Sequence, residues 1–173
     1  MYLLGHIDDQ DANLKKELNL EEYKDWFGRV AVRAVLQNDK GQIALMYVRK
    51  YNIYKLPGGG VEKEEDLASA FVREVEEETG FVAKATADIG VFVEKRDRET
   101  CLQISFCYLA NVVGEGKVGL TEEESEQEFE LVWVNSIDEA INLVDGNERE
   151  HYDVKFMTPR ELAILKRAKE MIG

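Results

Sequence analysis

Apolar side chains recur at helical spacing at Leu67, Ala70, Phe71 and Val75, which predicts an amphipathic helix over residues 67–75. Gly80 falls where a glycine commonly ends such a helix. Upstream, Val30, Val32, Ala34 and Leu36 alternate with Ala31, Arg33 and Val35, the period of a strand. Asn38-Asp39-Lys40-Gly41 is a turn signal, and residues 42–49 return as a second strand, so a hairpin is expected. Residues 82–93 and 102–113 read as antiparallel neighbours, with Gly90 a bulge or bend and 94–99 a charged turn between them. A strand at 128–134 leads to Ser136, the expected N-cap of a helix over 137–144. Thr158 and Pro159 suit the start of a last helix whose buried face is Leu162, Ile164, Leu165, Ala168 and Met171. Residues 1–28 are polar and acidic with scattered large apolar side chains, and read as an N-terminal extension in which 14–26 suits a short helix. Residues 29–173 then form one domain without repeats or a linker.

Composition narrows the partners. The 173 residues carry a net charge of −13, which argues against nonspecific nucleic-acid binding, because that relies on Lys and Arg neutralising phosphates. A small phosphorylated substrate is still allowed when a metal carries the positive charge. Cys101 and Cys107 share one face of a strand and read as buried free thiols rather than a disulfide framework. The opening residues are too short a run for a signal peptide, and no apolar run reaches membrane-span length, so a cytoplasmic protein is expected. His6 and His151 have no metal-ligand spacing and read as surface or satisfied histidines.

The chemistry concentrates between Gly58 and Phe81. Three glycines, 58–60, follow Leu56-Pro57 and lead into the amphipathic helix. Glu74, Glu77 and Glu78 stand at i, i+3 and i+4 and share one helix face. At an effective dielectric of about 20 and a separation of ~4 Å, each like-charge pair costs roughly 4 kcal/mol before screening. A hard divalent cation with oxygen ligands offsets such a cost, and a glycine loop lets a backbone carbonyl approach. Just before the loop, Tyr51 or Tyr54 is placed to stack on a base, and Arg49 or Lys55 to hold a distal phosphate. The plainer alternative has Tyr54 packing under the loop and the cations solvated.

The stretch from Gly59 to Phe81 resembles the Nudix box, G-x5-E-x7-R-E-U-x-E-E-x-G-U with U apolar. Gly59, Glu65, Arg73-Glu74, Val75, Glu77-Glu78, Gly80 and Phe81 match every fixed position. Resemblance to this family implies an α/β/α sandwich: a mixed sheet between helices, with the box as loop–helix–loop. It implies Mg²⁺-dependent hydrolysis of a diphosphate linkage in a nucleoside diphosphate derivative, with Mn²⁺ a substitute. It also implies that Glu74, Glu77, Glu78 and the Gly58 carbonyl are metal ligands, with Gly59 beside the substrate. Arg73 would hold the glutamates in place, and Glu65 would orient Arg73 or lie at the metal rim. Many members place a further ligand or base outside the box in the region of the acidic run 122–130, where Glu126 and Glu128 are the candidates and a solvated loop is the plainer alternative. Homodimers are common in the family.

Substrate choice is not legible at this stage. The proline often seen in ADP-ribose hydrolases about sixteen residues past the box is absent, since Lys95-Arg96-Asp97 stand there, and so is the tyrosine of the dinucleoside polyphosphate type. Nucleoside triphosphates, oxidised ones among them, and nucleotide sugars are the residual substrates. The alternative from another class is a Nudix-fold module that senses a nucleotide without turnover. Such modules often lose box glutamates or gain a DNA-binding domain, and this chain keeps the glutamates.

Overall fold

The computed structural model describes residues 2–8 and 27–173. The short helix suggested within 14–26 lies outside the described residues. Seven strands form one mixed sheet: β1 (Leu3–Asp8), β2 (Phe27–Gln37), β3 (Ile43–Val48), β4 (Ile53–Lys55), β5 (Phe81–Arg96), β6 (Cys101–Glu115) and β7 (Phe129–Val134). The helices are α1 (Leu67–Thr79), α2 (Glu122–Glu126), α3 (Ile137–Asp145) and α4 (Tyr152–Ile172). The order β1-β5-β6-β2-β3-β4 has β7 on the other edge of β3. β1 pairs parallel with β5 and β2 parallel with β6, while β5 and β6 form the long antiparallel pair.

The sheet is buried on both faces. On one side α1 sets Ala70, Phe71 and Val75 against Val32, Ala34 and Leu36 of β2. On the other, α3 and α4 set Ala140, Val144, Ile164, Leu165 and Ala168 against Val35, Ile43 and Leu45. The alternation along β2 therefore sorts its even positions towards α1 and its odd positions towards α4. The three-layer α/β/α arrangement is the expected one. No helix among the described residues is long and apolar enough to cross a membrane.

Four expectations are corrected. The β2–β3 hairpin exists only at its turn, where Gln37 pairs with Ile43. Beyond that point the strands part, and the glycine loop fills the opening: Val32 N donates to Gly59 O at 2.9 Å, Ala34 N to Pro57 O at 3.0 Å and Val61 N to Val30 O at 2.9 Å. Strand partners are set by non-local packing, so a turn signal does not fix them. The last helix starts at Tyr152, not at Thr158, and Pro159 lies inside it. An internal proline loses one backbone hydrogen bond and costs about 3 kcal/mol. Thr158 and Pro159 are both buried against the domain, so tertiary packing overrides that local cost. The charged turn is shorter than expected, because Glu94 and Arg96 are buried members of β5. Finally, Leu3–Asp8 is part of the sheet, although residues 1–28 read as an extension.

Candidate active site

Helix α1 begins at Asp66, whose Oδ1 accepts from Ser69 N at 2.7 Å, and ends on Gly80 in the left-handed region. It runs one turn beyond the apolar stripe, so Glu76, Glu77 and Glu78 are helical. Like charges so placed need compensation, and it comes from two cations, Arg73 and Lys55, and one backbone donor, the Gly58 amide. Arg73 Nη1 donates to Glu74 Oε1 at 2.9 Å and to Glu77 Oε2 at 3.1 Å. Its Nη2 donates to Gly60 O at 2.9 Å, while Nε and Nη2 clasp Glu65 at 2.9 and 2.8 Å. Lys55 Nζ reaches Glu78 Oε1 at 2.7 Å, and Gly58 N donates to Glu78 Oε2 at 2.8 Å.

Two glycines are needed for this closeness. Gly58 sits at φ 128, and a Cβ there would lie 2.2 Å from the carbonyl oxygen of Val32. A Cβ on Gly59 would lie 2.2 Å from Glu74 Oε2, so the carboxylate of Glu74 rests directly on that backbone.

Glu74 and Glu78, four residues apart, line one polar cavity of about 450 Å³ together with Gly58, Gly59 and Gly60. Burial pushes both carboxyls up; Arg73 pulls Glu74 back and Lys55 pulls Glu78 back, but burial prevails. Glu77 turns instead to an open groove on the outer side of α1, beside Glu76 and Lys117. Among the described residues, no three His, Cys, Asp or Glu side chains converge as they would around a metal. The donor chemistry nevertheless fits a hard divalent cation: buried carboxylate oxygens whose charged form burial disfavours, next to a loop that offers backbone oxygens.

The structure redistributes the other candidates. Arg49 is exposed and spent on Glu130, with Nη2 2.5 Å from Oε2, and on Glu128 at 3.8 Å. Lys55 is buried against Glu78, with its ammonium 4.7 Å from the Phe129 ring centre, so it faces the carboxylates rather than a distal phosphate. Tyr54 does not line the cavity. Its ring lies 4.9 Å from that of Tyr47, and Asn147 holds its backbone through 2.7 and 2.8 Å hydrogen bonds. Of the two tyrosines, Tyr51 is the one that faces the cavity, 4.8 Å from the ring of His151.

Glu126 and Glu128 do not line the cavity either, whereas Glu123, Glu124 and Gln127 do. The cause is helical phase. Positions 123, 124 and 127 share the inner face of α2, and 126 lies on the outer one. Glu128, at φ 56, turns the chain into β7 and meets Arg49. Thr121 and Glu124 form a reciprocal capping box that starts α2, a signal visible as Thr-x-x-Glu in the sequence. Another part of the cavity wall was not foreseen at all: Arg33 from β2, Arg96 and Gln103 from the β5–β6 pair, and Arg160 from α4.

With the fold and this geometry established, comparison with known proteins is consistent and specific. A family model described as a NUDIX domain matches residues 28–143, and the chain belongs to that family. It is a Nudix hydrolase. It is 32% identical over 119 residues to an ADP-ribose pyrophosphatase of Methanocaldococcus jannaschii, covering 66% of this chain and 69% of that one. It is 33% identical over 135 residues to an ADP-ribose pyrophosphatase of Bacillus subtilis, covering 74% and 67%. Among solved structures it resembles a Nudix hydrolase from Nitrosomonas europaea, with TM-score 0.61, 21% identity and coverage of 83% and 90%.

Proposed function

We propose that the protein is a Mg²⁺-dependent pyrophosphohydrolase that cleaves the diphosphate linkage of a nucleoside diphosphate joined to a further group. The observation that carries this reading is that Glu74 and Glu78 line one cavity with Arg33, Lys55, Arg96 and Arg160, so acidic and basic walls face a single space. A polyanionic nucleotide suits such a space: carboxylates that would hold a cation beside the scissile diphosphate, and cationic side chains for the rest of its negative charge. The names of the two relatives bring ADP-ribose back among the substrates, beside nucleoside triphosphates, oxidised nucleotides and nucleotide sugars.

Glu74 and Glu78, with the Gly58 carbonyl, would hold the cation; Glu77, tied to Glu74 through Arg73 on the outer groove, would join them only by turning inward. When bound, the cation offsets charge on the phosphates and polarises the phosphorus under attack. Arg73 keeps Glu74, Glu77 and Glu65 in register with the loop, and Lys55 does so for Glu78. Glu124 lines the cavity and is close enough to Glu78 to raise its carboxyl, which supports it as the group that would take a proton from an attacking water. Water oxygen joins phosphorus as the bridging P–O bond breaks, and the departing phosphate carries the electron pair.

The test is a panel of nucleoside diphosphate derivatives with Mg²⁺, following release of the two phosphorylated products, repeated after chelation. Turnover of at least one compound, abolished by chelation and restored by Mg²⁺, is expected. A panel with no turnover at any Mg²⁺ level overturns the proposal.

A further inference from the structure

The basic wall of the cavity is more than a scaffold requires. Arg33, Arg96 and Arg160 are buried, at 7%, 8% and 2% exposure, and line the cavity together. Their buried ion-pair partners are Glu94 and Glu161, while the buried Glu74 and Glu78 stand on the same cavity. Arg160 is saturated: Nη1 donates to Glu94 Oε2 at 2.8 Å and Nη2 to Glu161 Oε1 at 2.6 Å. Arg96 donates to Glu94 at 3.2 Å and to the half-exposed Asp153 at 2.7 Å, and its Nη1 lies 3.8 Å from Glu99. Among the described residues, Arg33 has only the carbonyl of Val32, at 2.8 Å, and a distant approach to Glu161 at 3.9 Å. The Nε atoms of Arg33 and Arg96 have no hydrogen-bond partner among the described residues. Burial and the adjacent Arg160 pull Arg33 down to about 10, against the opposite pull of Glu161, Glu94 and Glu78.

Buried guanidinium N–H groups without an acceptor are costly unless something anionic joins them. Inside a cavity the missing anion can come from a ligand. Guanidiniums converging from β2, β5 and α4 offer donors in several directions, which suits a tetrahedral phosphate. Tyr51 and His151, on the same cavity, supply ring faces for the rest of the molecule.

We propose that Arg33 and Arg96, backed by Arg160, form a subsite for a phosphate group that the substrate carries in addition to the diphosphate that is cleaved. This rests on the proposed pyrophosphohydrolase reading and deepens it. The enzyme prefers substrates with this extra charge over otherwise identical substrates without it. The phosphate sits either on the sugar beyond the diphosphate or at the end of a longer phosphate chain.

Two measurements test it. The first is calorimetric titration of the metal-free protein with inorganic phosphate, which needs no turnover. Saturable binding to the wild type, weakened by roughly tenfold or more in Arg33→Gln, is expected. Arg96→Gln replaces that variant if thermal unfolding shows Arg33→Gln to be misfolded. The second compares kcat/KM for ADP-ribose with ADP-ribose carrying a phosphate on its terminal ribose, and for ATP with adenosine tetraphosphate. A preference of roughly tenfold or more for the phosphate-rich member of one pair is expected, and that pair identifies the source. The preference shrinks in the Arg33 variant and is partly rescued in Arg33→Lys. Turnover without preference in either pair, together with no phosphate binding, overturns the subsite and leaves the hydrolase reading standing. Phosphate binding lost on substitution, with no diphosphate cleaved, supports the subsite and sinks the hydrolase reading.

Discussion

Arg73 and Glu65 meet through two parallel hydrogen bonds, Nε to Oε1 at 2.9 Å and Nη2 to Oε2 at 2.8 Å. Glu65 also accepts from the backbone of Glu62, and the Arg73 bonds with that contact hold its carboxyl down at about 2. The fork leaves Nη1 free to bridge Glu74 and Glu77. Lysine keeps the charge but has no fork. Arg73→Lys is therefore expected to lower kcat by about 10- to 100-fold with a smaller change in KM, since misplaced groups lose catalysis before binding. Steady-state kinetics on the best substrate of the panel checks this. A variant with wild-type kcat would show that the fork does not position the carboxylates.

Gly58 and Gly59 should separate stability from activity. A side chain at Gly58 meets the Val32 backbone and strains a positive φ, neither of which relaxes easily. Gly58→Ala is expected to destabilise by about 2 kcal/mol or more by denaturant unfolding. At Gly59 the obstacle is the flexible end of Glu74. Gly59→Ala is expected to fold with a stability change within about 1 kcal/mol while losing most activity, because Glu74 has to leave the loop. Equal loss of stability in both variants contradicts the assignment.

The buried cluster around Glu94 links stability to pH. Burial alone would raise the Glu94 carboxyl, but Arg160 and Arg96 overcome it and hold it below the usual range. Gln103 Nε2 donates to Glu94 Oε2 as well. The folded state thus binds this proton less readily than the unfolded chain does. The stabilisation is complete above the unfolded value and fades as pH falls through it towards the lower folded value. Thermal melts should show Tm falling as pH drops below about 4.5, with a shallower fall in Glu94→Gln. At neutral pH that variant, which leaves buried guanidiniums uncompensated, is expected to lose about 3–5 kcal/mol. An unchanged acid limb in Glu94→Gln would rule out this group as its source.

The acidic run offers a direct comparison. Glu124 lines the cavity, and Glu126 and Glu128 do not. Glu124→Gln is expected to reduce kcat by about 10²-fold or more, the usual scale for a lost general base. Glu126→Gln and Glu128→Gln are expected to stay within about threefold of wild type, as surface substitutions usually do. Parallel kcat measurements on the three variants decide it, and a large loss confined to Glu126 or Glu128 reverses the assignment.

The sequence carried the box, its helix, the Gly80 end and the layered fold, because each depends on local spacing or on a motif whose residues are neighbours along one helix and its loop. Arg73 and Glu65, eight residues apart, belong to that local set. What tertiary packing alone settled is which distant side chains meet it. Arg49 and Lys55 precede the loop, yet β7 and Glu78 claim them. Arg33, Arg96 and Arg160 come from a strand interior, an apparent turn and a late helix, with no shared pattern along the chain. They face the cavity because parallel pairing of β2 with β6 and the passage of α4 over that face bring them together. Strand partners and helix crossings depend on burial summed over the whole domain, so periodicity finds each element while the sheet order chooses its neighbours.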